Sequence, residues 1–384
     1  MQSKSLSQEW NNLDTIIIYG MGLVANRFID KILQDFQVPY IVDHKKKGMK
    51  YKNISIVEYE DVKEDVVRDK KKIVVMTSQR VYSDIRNILE ADGLLEYKDF
   101  CRIEQFAVEW YQTNRNQTNI IQVNTAVTTW CTLNCKKCNM FMPYYENNKR
   151  KHYTFAEMKE DIDLLLDYVD YIFWYNFLGG EPLLNRELKD IIAYVGENYS
   201  DRVGRMGITT NGTIVPNDET LLQLKKYNVM VSISDYTENV IYVDKMRDVI
   251  KKLNEWEIPY QRNMMTEWKD FGFPLEPFHW GEDEVALHMK NCSPFFHGIN
   301  DKKLYYCHVV WSAEKAGIYT IPKTDYIDLT QLDCTKLEDK RKISRYCAGE
   351  CERGFLGFCM LCGGCGADNM RIIPVGVQVE GRVV

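Results

Sequence analysis

The segment WCTLNCKKCNMF, residues 130–141, carries three cysteines in a C-x3-C-x2-C spacing: Cys131, Cys135 and Cys138. It follows an extended stretch, so the three thiols share one tight loop. Three thiolates can bind three irons of a [4Fe–4S] cluster, because thiolate is a preferred ligand of such clusters. The fourth iron then stays open for another molecule. A zinc loop and three incidental cysteines remain alternatives, although zinc sites usually pair C-x2-C units.

Strand and helix patterns alternate on the carboxyl side of this loop. They predict, in order, an amphipathic helix, a buried strand, a second helix and two further strands at FAEMKEDIDLLLDYV (155–169), YIFWYNFL (171–178), RELKDIIAYVGENY (186–199), GRMGITTN (204–211) and NVMVSIS (228–234). Repeated units of this size are typical of a β/α barrel. We predict a β/α (TIM-like) barrel, complete or partial, over residues 118–270.

A smaller α/β unit precedes the barrel. TIIIYGMGLVANRFIDKIL (15–33) predicts a strand, a glycine turn and an amphipathic helix, and VPYIVDH (38–44) predicts the next strand. We predict a Rossmann-like α/β domain over residues 1–112. A polar linker follows it at QTNRNQTN (112–119).

The glycine turn of this unit matches a dinucleotide-binding pattern. Gly20, Gly22 and Ala25 form G-x-G-x-x-A, and Asp43 follows at the end of the second predicted strand, where an acid is placed for a ribose. A full dinucleotide site uses two such halves, and this unit is short. Nucleotide binding by Gly20, Gly22 and Asp43 is one hypothesis, and no ligand at all is the other.

Three motifs stand where predicted barrel strands end: FLGGEP (177–182), ITTNGT (208–213) and SISDY (232–236). Active sites of β/α barrels are built at this edge. In order and spacing, the cysteine triad and these motifs resemble the radical SAM superfamily. The resemblance implies that S-adenosylmethionine (SAM) is contacted by Gly179, Gly180, Glu181, Thr210, Asn211, Ser234 and Asp235.

Each implied contact has a physical reason. Glycines let the backbone approach a cofactor closely, and Glu181 would pair with the ammonium group of SAM. Ser234 and Asp235 are suited to hydrogen-bonding the ribose. One departure is Lys137, which stands where the family usually has an aromatic residue packed against the adenine. We therefore expect adenine contacts from Phe141 or from a later apolar strand.

The resemblance also implies a reaction. One electron from the reduced cluster, delivered by a donor such as flavodoxin or ferredoxin, would cleave SAM to methionine and a 5′-deoxyadenosyl radical. That radical would abstract a hydrogen atom from the substrate in a water-poor pocket. We expect oxidation or epimerisation of a sugar-derived or nucleotide-linked sugar substrate in carbohydrate or polysaccharide biosynthesis, because the first unit resembles domains attached to sugar-nucleotide enzymes. A peptide-modifying enzyme and a non-catalytic iron–sulfur electron carrier or regulator are the alternatives.

Eight of the twelve cysteines lie in the last predicted domain, residues 271–384. This segment resembles the SPASM/Twitch extension, which carries auxiliary iron–sulfur clusters. The resemblance implies an auxiliary [4Fe–4S] cluster on Cys292, Cys307, Cys359 and Cys362. A second auxiliary cluster, or buried and reactive thiols, would account for Cys334, Cys347, Cys351 and Cys365. Zinc is a further alternative for this region.

Two smaller expectations concern the same region. The turn between Cys292 and Cys307 needs residues that tolerate a left-handed conformation, and we expect Asn300 and Asp301 to supply it. The six histidines show no paired metal-ligand spacing, so we expect most of them to be structural.

Charge and hydropathy limit the other classes of function. The net charge of −6, with both signs interspersed, argues against a dedicated binder of nucleic acid or anionic membranes. No run of roughly 18 apolar residues could span a bilayer, and the opening residues MQSKSLSQEWNN are polar. We expect a cytoplasmic protein whose partners are a small-molecule or nucleotide-linked sugar substrate and an electron donor.

Overall fold

The structure is a computed structural model that describes residues 5–292 and 296–379. The chain divides into two compact units, Met1–Ile121 and Gln122–Val384. The predicted linker at 112–119 is in part helical, because Tyr111 packs its ring edge-on against Phe36 and Trp110 and a helix runs over Tyr111–Arg115. Within the described ranges, no helix combines the length and apolar character that crossing a membrane requires.

The first unit is built on a six-stranded sheet. Its strands are β1 Ile17–Tyr19, β2 Ile41–Val42, β3 Lys50–Tyr51, β4 Ile54–Val57, β5 Ile73–Val75 and β6 Phe100–Arg102. Its helices are α1 Ala25–Asp35, α2 Tyr59–Asp69, α3 Gln79–Ala91, α4 Ile103–Gln105 and α5 Tyr111–Arg115. The strand order is β3-β4-β2-β1-β5-β6, with all strands parallel except β3. Parallel strands in this order, with helices between them, are a doubly wound arrangement.

The second unit is built on an eight-stranded sheet with the order β11-β10-β9-β8-β7-β13-β14-β15. Its strands and those of a small two-stranded sheet are β7 Asn119–Thr128, β8 Tyr171–Gly179, β9 Met206–Thr210, β10 Met230–Asp235, β11 Tyr260–Met264, β12 Glu267–Lys269, β13 Gly298–Asn300, β14 Lys303–Tyr305, β15 Tyr326–Asp328 and β16 Ile372–Pro374. Its helices are α6 Phe155–Tyr168, α7 Leu188–Asn198, α8 Asp218–Lys226, α9 Val243–Glu255, α10 Glu282–Asn291, α11 His308–Lys315 and α12 Leu337–Cys347.

Strands β8 to β11 run parallel, and a helix connects each to the next. Most of β8 is buried, as its continuous apolar run predicts for a parallel strand. Helix α6 begins with a capping box, in which Thr154 and Glu157 satisfy each other's backbone N–H groups. This open sheet of alternating strands and helices agrees with a partial β/α barrel.

The described part of residues 271–384, predicted as a third domain, lies in the same compact unit as the barrel. Its strand β13 continues the barrel sheet, where Gly298 pairs with Asn124 of β7. The side chain of Asn300 bonds both backbone groups of Ala126, at 2.9 and 3.0 Å. Shared hydrogen bonds of this kind join the cysteine-rich segment to the barrel.

The hairpin between β13 and β14 corrects one turn prediction. The left-handed residues are Asp301 and Lys302, with φ of 55° and 62°, whereas Asn300 belongs to β13. Asp161 of α6 accepts hydrogen bonds from the backbone N–H groups of both turn residues, at 2.9 and 2.7 Å. A buried carboxylate from another element thus stabilises a turn that lacks glycine.

Candidate active site

The cysteine loop and the three motifs border one cavity at the carboxyl ends of neighbouring strands. The loop follows β7, and the motifs end β8, β9 and β10. The cavity volume of about 530 Å³ lies within the roughly 300–1,000 Å³ typical of ligand pockets. Predicted residues in its lining are Cys131, Cys135, Cys138, Gly179, Gly180, Thr210, Asn211 and Ser234. Glu181 and Asp235 are the predicted SAM contacts that the lining leaves out.

Gly179 and Gly180 allow two backbones to approach closely. A Cβ on Gly179, whose φ is 142°, would lie 2.1 Å from the carbonyl oxygen of Thr128. A Cβ on Gly180 would lie 2.1 Å from the carbonyl oxygen of Trp130. The N–H groups of Gly180 and Glu181 donate to those two oxygens at 3.0 and 2.8 Å. The glycines therefore hold the cysteine loop against the end of β8.

Glu181 is hydrogen-bonded by protein groups of two neighbouring turns. Its side chain is 0% exposed and accepts hydrogen bonds from the hydroxyl of Thr210 and the N–H groups of Asn211 and Leu183, at 2.8, 2.8 and 3.1 Å. Burial raises the pKa of Glu181 to about 7, against these donors. The carboxylate ties the FLGGEP turn to the ITTNGT turn. The ion pair of Glu181 with the SAM ammonium group stays a prediction.

Two amide side chains donate to thiols of the triad. Asn211 Nδ2 lies 3.5 Å from Cys131 Sγ, and Gln378 Nε2 lies 3.2 Å from Cys135 Sγ. Gln378 Oε1 also accepts the N–H of Asn134 at 2.7 Å. Sequence reasoning missed Gln378, because it stands 243 residues from Cys135 and belongs to no motif. Donors to sulfur are among the groups that tune an iron–sulfur cluster.

The triad fits an iron–sulfur cluster better than a single metal ion. Across residues 5–292 and 296–379, no three His, Cys, Asp or Glu side chains are close enough to hold one ion. The three thiols instead border open space, and a cluster of four irons spaces its ligands more widely than one ion does. Burial raises the pKa of Cys135 to about 12, so its thiolate form depends on the charge of bound iron.

Asp235 is held by protein groups and does not face the cavity. Its side chain is buried, and Arg262 Nε and the N–H of Thr237 donate to it at 2.6 and 2.8 Å. Burial opposes its ionisation, yet these hydrogen bonds keep the pKa of Asp235 below its ordinary value. Only Ser234 of the predicted ribose pair lines the cavity.

An aromatic pair that sequence reasoning missed lines the same cavity. Tyr236 and Trp268 meet edge to face, with ring centroids 5.4 Å apart. Phe141, which we expected near the adenine, lies outside this lining, because its buried ring packs edge-on against Phe273 at 5.8 Å. Tyr236 directly follows Asp235, so the SISDY motif contained a signal for it.

Lys137 stands where the radical SAM superfamily usually has an aromatic residue, and in this structure it forms an ion pair. Its Nζ lies 2.9 Å from Oδ2 of the buried Asp270 and 3.5 Å from Glu276. The ammonium group that replaces an aromatic ring is therefore paired. The ion pair joins the cysteine loop to the segment that follows β12.

Polar side chains from three strands line another part of the cavity. Asn124 Oδ1 accepts hydrogen bonds from Gln122 Nε2 at 3.0 Å and from Asn176 Nδ2 at 3.1 Å. Asn176 also bonds Thr209 at 3.2 Å. Asn124 and Asn176 are 1% and 5% exposed, so these amides form a buried polar layer.

Neighbouring thiols influence one another in the cysteine-rich segment. The thiol of Cys365 and burial raise the pKa of Cys292, with a further contribution from Cys307. Burial raises the pKa of Cys359, with contributions from Cys362 and Cys307. Cys365 joins this group, since its Sγ lies 3.7 Å from that of Cys292, and it also lines the active-site cavity.

The other leftover cysteines do not join Cys365 in one group. Cys334 is exposed, in a loop beside the end of α6. Cys347 is the last residue of α12. Cys351 follows it, and after burial and nearer thiols it contributes to the raised pKa of Cys359. A second cluster on Cys334, Cys347, Cys351 and Cys365 is therefore not supported by their placement.

In the first unit, the side chain of Asp43 hydrogen-bonds the backbone of the glycine turn. The carboxylate of Asp43 accepts the N–H of Met21 at 2.8 Å and those of Lys45 and Lys46 at 3.0 and 3.2 Å. These three hydrogen bonds stabilise the turn and fix the position of the carboxylate. Gly22 has open space around it, since nothing lies within 4 Å of a Cβ built there.

Comparison with known protein families gives a match over part of the segment that carries the cavity. Residues 125–260 are similar to the family model described as the Radical SAM superfamily. Members of that superfamily use a [4Fe–4S] cluster and SAM. No curated protein matches the chain in sequence.

Solved structures that resemble the chain include three enzymes with SAM bound. SuiB of Streptococcus suis with S-adenosylmethionine is 14% identical, with a TM-score of 0.31 over 54% of this chain and 41% of that one. The enzyme anSMEcpe, with AdoMet and the Cp18Cys peptide, is 11% identical, with a TM-score of 0.38 over 61% and 89%. BtrN with AdoMet and 2-DOIA is 15% identical, with a TM-score of 0.38 over 68% and 96%. The matched part spans less than half of SuiB.

Proposed function

We propose that the chain is a radical SAM enzyme that oxidises or epimerises a sugar-derived or nucleotide-linked sugar substrate in carbohydrate or polysaccharide biosynthesis. The observation that carries the proposal is the cavity of about 530 Å³, which is lined both by the cysteine triad and by buried amide and hydroxyl groups. Such groups suit a substrate with several hydroxyls, because an apolar occupant would leave their hydrogen bonds to ligand unmade.

We assign the cluster to Cys131, Cys135 and Cys138. When bound, the cluster and SAM together supply a one-electron cleavage that generates a hydrogen-abstracting radical. Asn211 and Gln378 donate hydrogen bonds to two of the thiols, which stabilises added negative charge on them. Because Gly179 and Gly180 carry no side chain, the cysteine loop can pack closely against the end of β8.

The aromatic contact to the adenine falls to Tyr236 and Trp268 in this proposal. Both rings line the cavity, whereas Phe141 does not. Tyr and Trp provide large apolar faces with a polar edge, which suits stacking on a purine. In this proposal Lys137 does not contact the adenine and instead forms the ion pair with Asp270.

We further propose an auxiliary [4Fe–4S] cluster on Cys292, Cys307, Cys359 and Cys362. Such a cluster offers a one-electron acceptor, which the oxidation of an alcohol requires. Cys365 is close to this group and also lines the cavity. Its thiol is the candidate hydrogen-atom donor if the outcome is epimerisation.

The test is turnover with a defined panel. Anaerobically reconstituted enzyme would be given SAM, dithionite and, one at a time, UDP-glucose, UDP-N-acetylglucosamine, myo-inositol or a synthetic cysteine-containing peptide. The proposal predicts that a sugar or cyclitol raises 5′-deoxyadenosine formation above the substrate-free rate. Stimulation by the peptide alone would favour the peptide-modifying alternative. No 5′-deoxyadenosine under any condition would favour the electron carrier.

A further inference from the structure

One backbone carbonyl fixes the orientation of the amides in the polar layer. Asn124 Nδ2 donates to the carbonyl oxygen of His297 at 3.0 Å, and a carbonyl can only accept. The other amide atom of Asn124 is therefore its oxygen. Gln122 and Asn176 both contact this oxygen, so each of them turns its amide nitrogen toward Asn124. The oxygen of Asn176 is then left for other partners.

Thr209 of the next strand, β9, contacts the amide of Asn176. Its Oγ1 lies 3.2 Å from Nδ2 and 3.3 Å from Oδ1 of that amide. If the hydroxyl accepts from the nitrogen, its own proton and the amide oxygen are left over. If it donates to the oxygen, one amide proton and a hydroxyl lone pair are left over. Either arrangement leaves a donor and an acceptor side by side.

The structure offers the pair little else to bond. Within residues 5–292 and 296–379, the only hydrogen-bond partners of the two side chains are each other and Asn124. Polar groups in protein interiors are nearly always hydrogen-bonded, so a donor and an acceptor left over beside a cavity suit a ligand. The pair is therefore a candidate contact for whatever fills the cavity.

Both side chains of the pair can be reached from the cavity. Successive residues of a strand point to opposite faces, and Thr209 is the one residue of β9 that is not buried. On β10 the same face carries Ser232, which pairs with Thr209, and Ser234, and both are partly exposed. Thr209, Asn176 and Ser234 all line the cavity, and Asn176 keeps 5% of its surface exposed.

We propose that Thr209 and Asn176 together bind one hydroxyl group of the substrate. A hydroxyl both donates and accepts, so it matches a donor and an acceptor held side by side. The inference rests on the proposed function and names a specificity-determining contact within it. Strand β9 leads directly into Asn211, which donates to Cys131 Sγ, so the contact lies on a strand that ends at the cysteine loop.

Thr209→Val tests the contact, because valine keeps the branched shape but lacks the hydroxyl. Thr209→Ser keeps the hydroxyl. With the panel member that stimulates the enzyme, we expect kcat/KM to fall roughly tenfold or more in Thr209→Val and to be largely recovered in Thr209→Ser. Iron content equal to that of the wild type shows that each variant is loaded and folded.

Thr125→Val is the matched control. Thr125 is also buried on a strand, and its hydroxyl bonds that of Tyr175 at 2.7 Å, but it lies outside the cavity lining. Its loss removes an internal hydrogen bond and should leave kcat/KM unchanged. Equal losses of kcat/KM in Thr125→Val and Thr209→Val would overturn the inference.

Monodeoxy analogues of the same panel member separate binding from a structural effect. In the wild type, we expect the analogue that lacks the bound hydroxyl to lose roughly tenfold or more in kcat/KM. In Thr209→Val, that analogue and the parent compound should react alike, because the contact is missing with both. If Thr209→Val slows the parent and every analogue by the same factor, the inference is overturned.

Binding without turnover keeps the inference testable if the proposed function fails. Isothermal titration of the anaerobic holoenzyme, with SAM and without dithionite, measures the Kd of myo-inositol, UDP-glucose and UDP-N-acetylglucosamine. We expect at least one of them to bind, with a Kd that is raised roughly tenfold or more in Thr209→Val but not in Thr125→Val. No binding by the wild type, or equal Kd values in the wild type and Thr209→Val, would overturn the inference. Binding that depends on Thr209, without stimulation of 5′-deoxyadenosine formation, would support it and count against the proposed function alone.

Discussion

At the scale of single residues, hydrogen bonds to sulfur link distant parts of the chain to the cysteine triad. Gln378 donates to Cys135 Sγ with one amide atom and accepts the N–H of Asn134 with the other. A donor to ligand sulfur stabilises the additional negative charge of a reduced cluster. The contact should therefore raise the reduction potential of the proposed SAM-binding cluster.

Gln378→Leu tests this contact, because it removes the donor to Cys135 without adding a charge beside the cluster. We expect the midpoint potential to fall by about 60 mV or more, the one-electron equivalent of about 1.4 kcal/mol. Potentiometric titration followed by electron paramagnetic resonance measures it. The exposed Gln261 gives the control variant Gln261→Leu. Equal potentials in both variants would show that the hydrogen bond has no such effect.

The position of the triad is visible in the local sequence pattern, whereas the contacts around it depend on the fold. The C-x3-C-x2-C spacing is local, so it could be found without knowledge of the fold. The contacts of Glu181 and Gln378 depend on which strands and loops meet, since their partners Asn211 and Cys135 lie 30 and 243 residues away along the chain.

At the scale of elements, the β13–β14 hairpin depends on a carboxylate from α6. Asp161 accepts the N–H groups of Asp301 and Lys302 in the turn. Removal of a buried acceptor leaves its donors unpaired, at a cost of about 1–3 kcal/mol. We had expected the turn to rely on Asn300 and Asp301 alone, because Asp161 stands far from them in sequence.

Asp161→Ala should lower the free energy of unfolding by about 1–3 kcal/mol, and by more at pH 5.5 than at pH 8. Burial raises the pKa of Asp161 to about 7, from an unfolded value of 3.8. Its contribution is therefore fully present below pH 3.8 and is lost as the pH rises through 7. Anaerobic urea denaturation at both pH values measures the difference.

Glu160→Ala is the matched control for Asp161→Ala. Glu160 lies on the same helix and pairs with Lys302 of the same turn, but both side chains are largely exposed. An exposed ion pair contributes at most about 1 kcal/mol. A destabilisation by Asp161→Ala that matches this control, or that grows from pH 5.5 to pH 8, would contradict the assigned role.

The junction of β8 with the cysteine loop is the second element that a single change should break. In Gly180→Ala the new Cβ would lie 2.1 Å from the Trp130 carbonyl oxygen, so the loop must move. We expect SAM cleavage to fall by roughly tenfold or more, since small misplacements of reacting groups cost this much. Gly22→Ala is the control, because a Cβ there meets nothing within 4 Å. Similar losses in both variants would argue against a specific packing role.

At the scale of the whole molecule, the order of strands and helices was largely predictable, whereas the pairing of the C-terminal segment with the barrel sheet was not. Period and composition indicated the α/β unit and the barrel, because each strand and helix carries its own apolar pattern. The C-terminal segment has few such patterns. Its attachment to the barrel depends on β13 pairing beside β7 and on Asn300 bonding Ala126, which only the folded chain displays.

The central claim is that Cys131, Cys135 and Cys138 hold the cluster that cleaves SAM. It is tested most directly by 5′-deoxyadenosine formation from SAM and dithionite in the anaerobically reconstituted enzyme and in the three single Cys→Ala variants. We predict formation by the wild type and none by any variant, whereas Cys334→Ala, at an exposed position outside both cysteine groups, retains it. Undiminished formation in a triad variant, or none in a wild type with its full iron content, would contradict the claim.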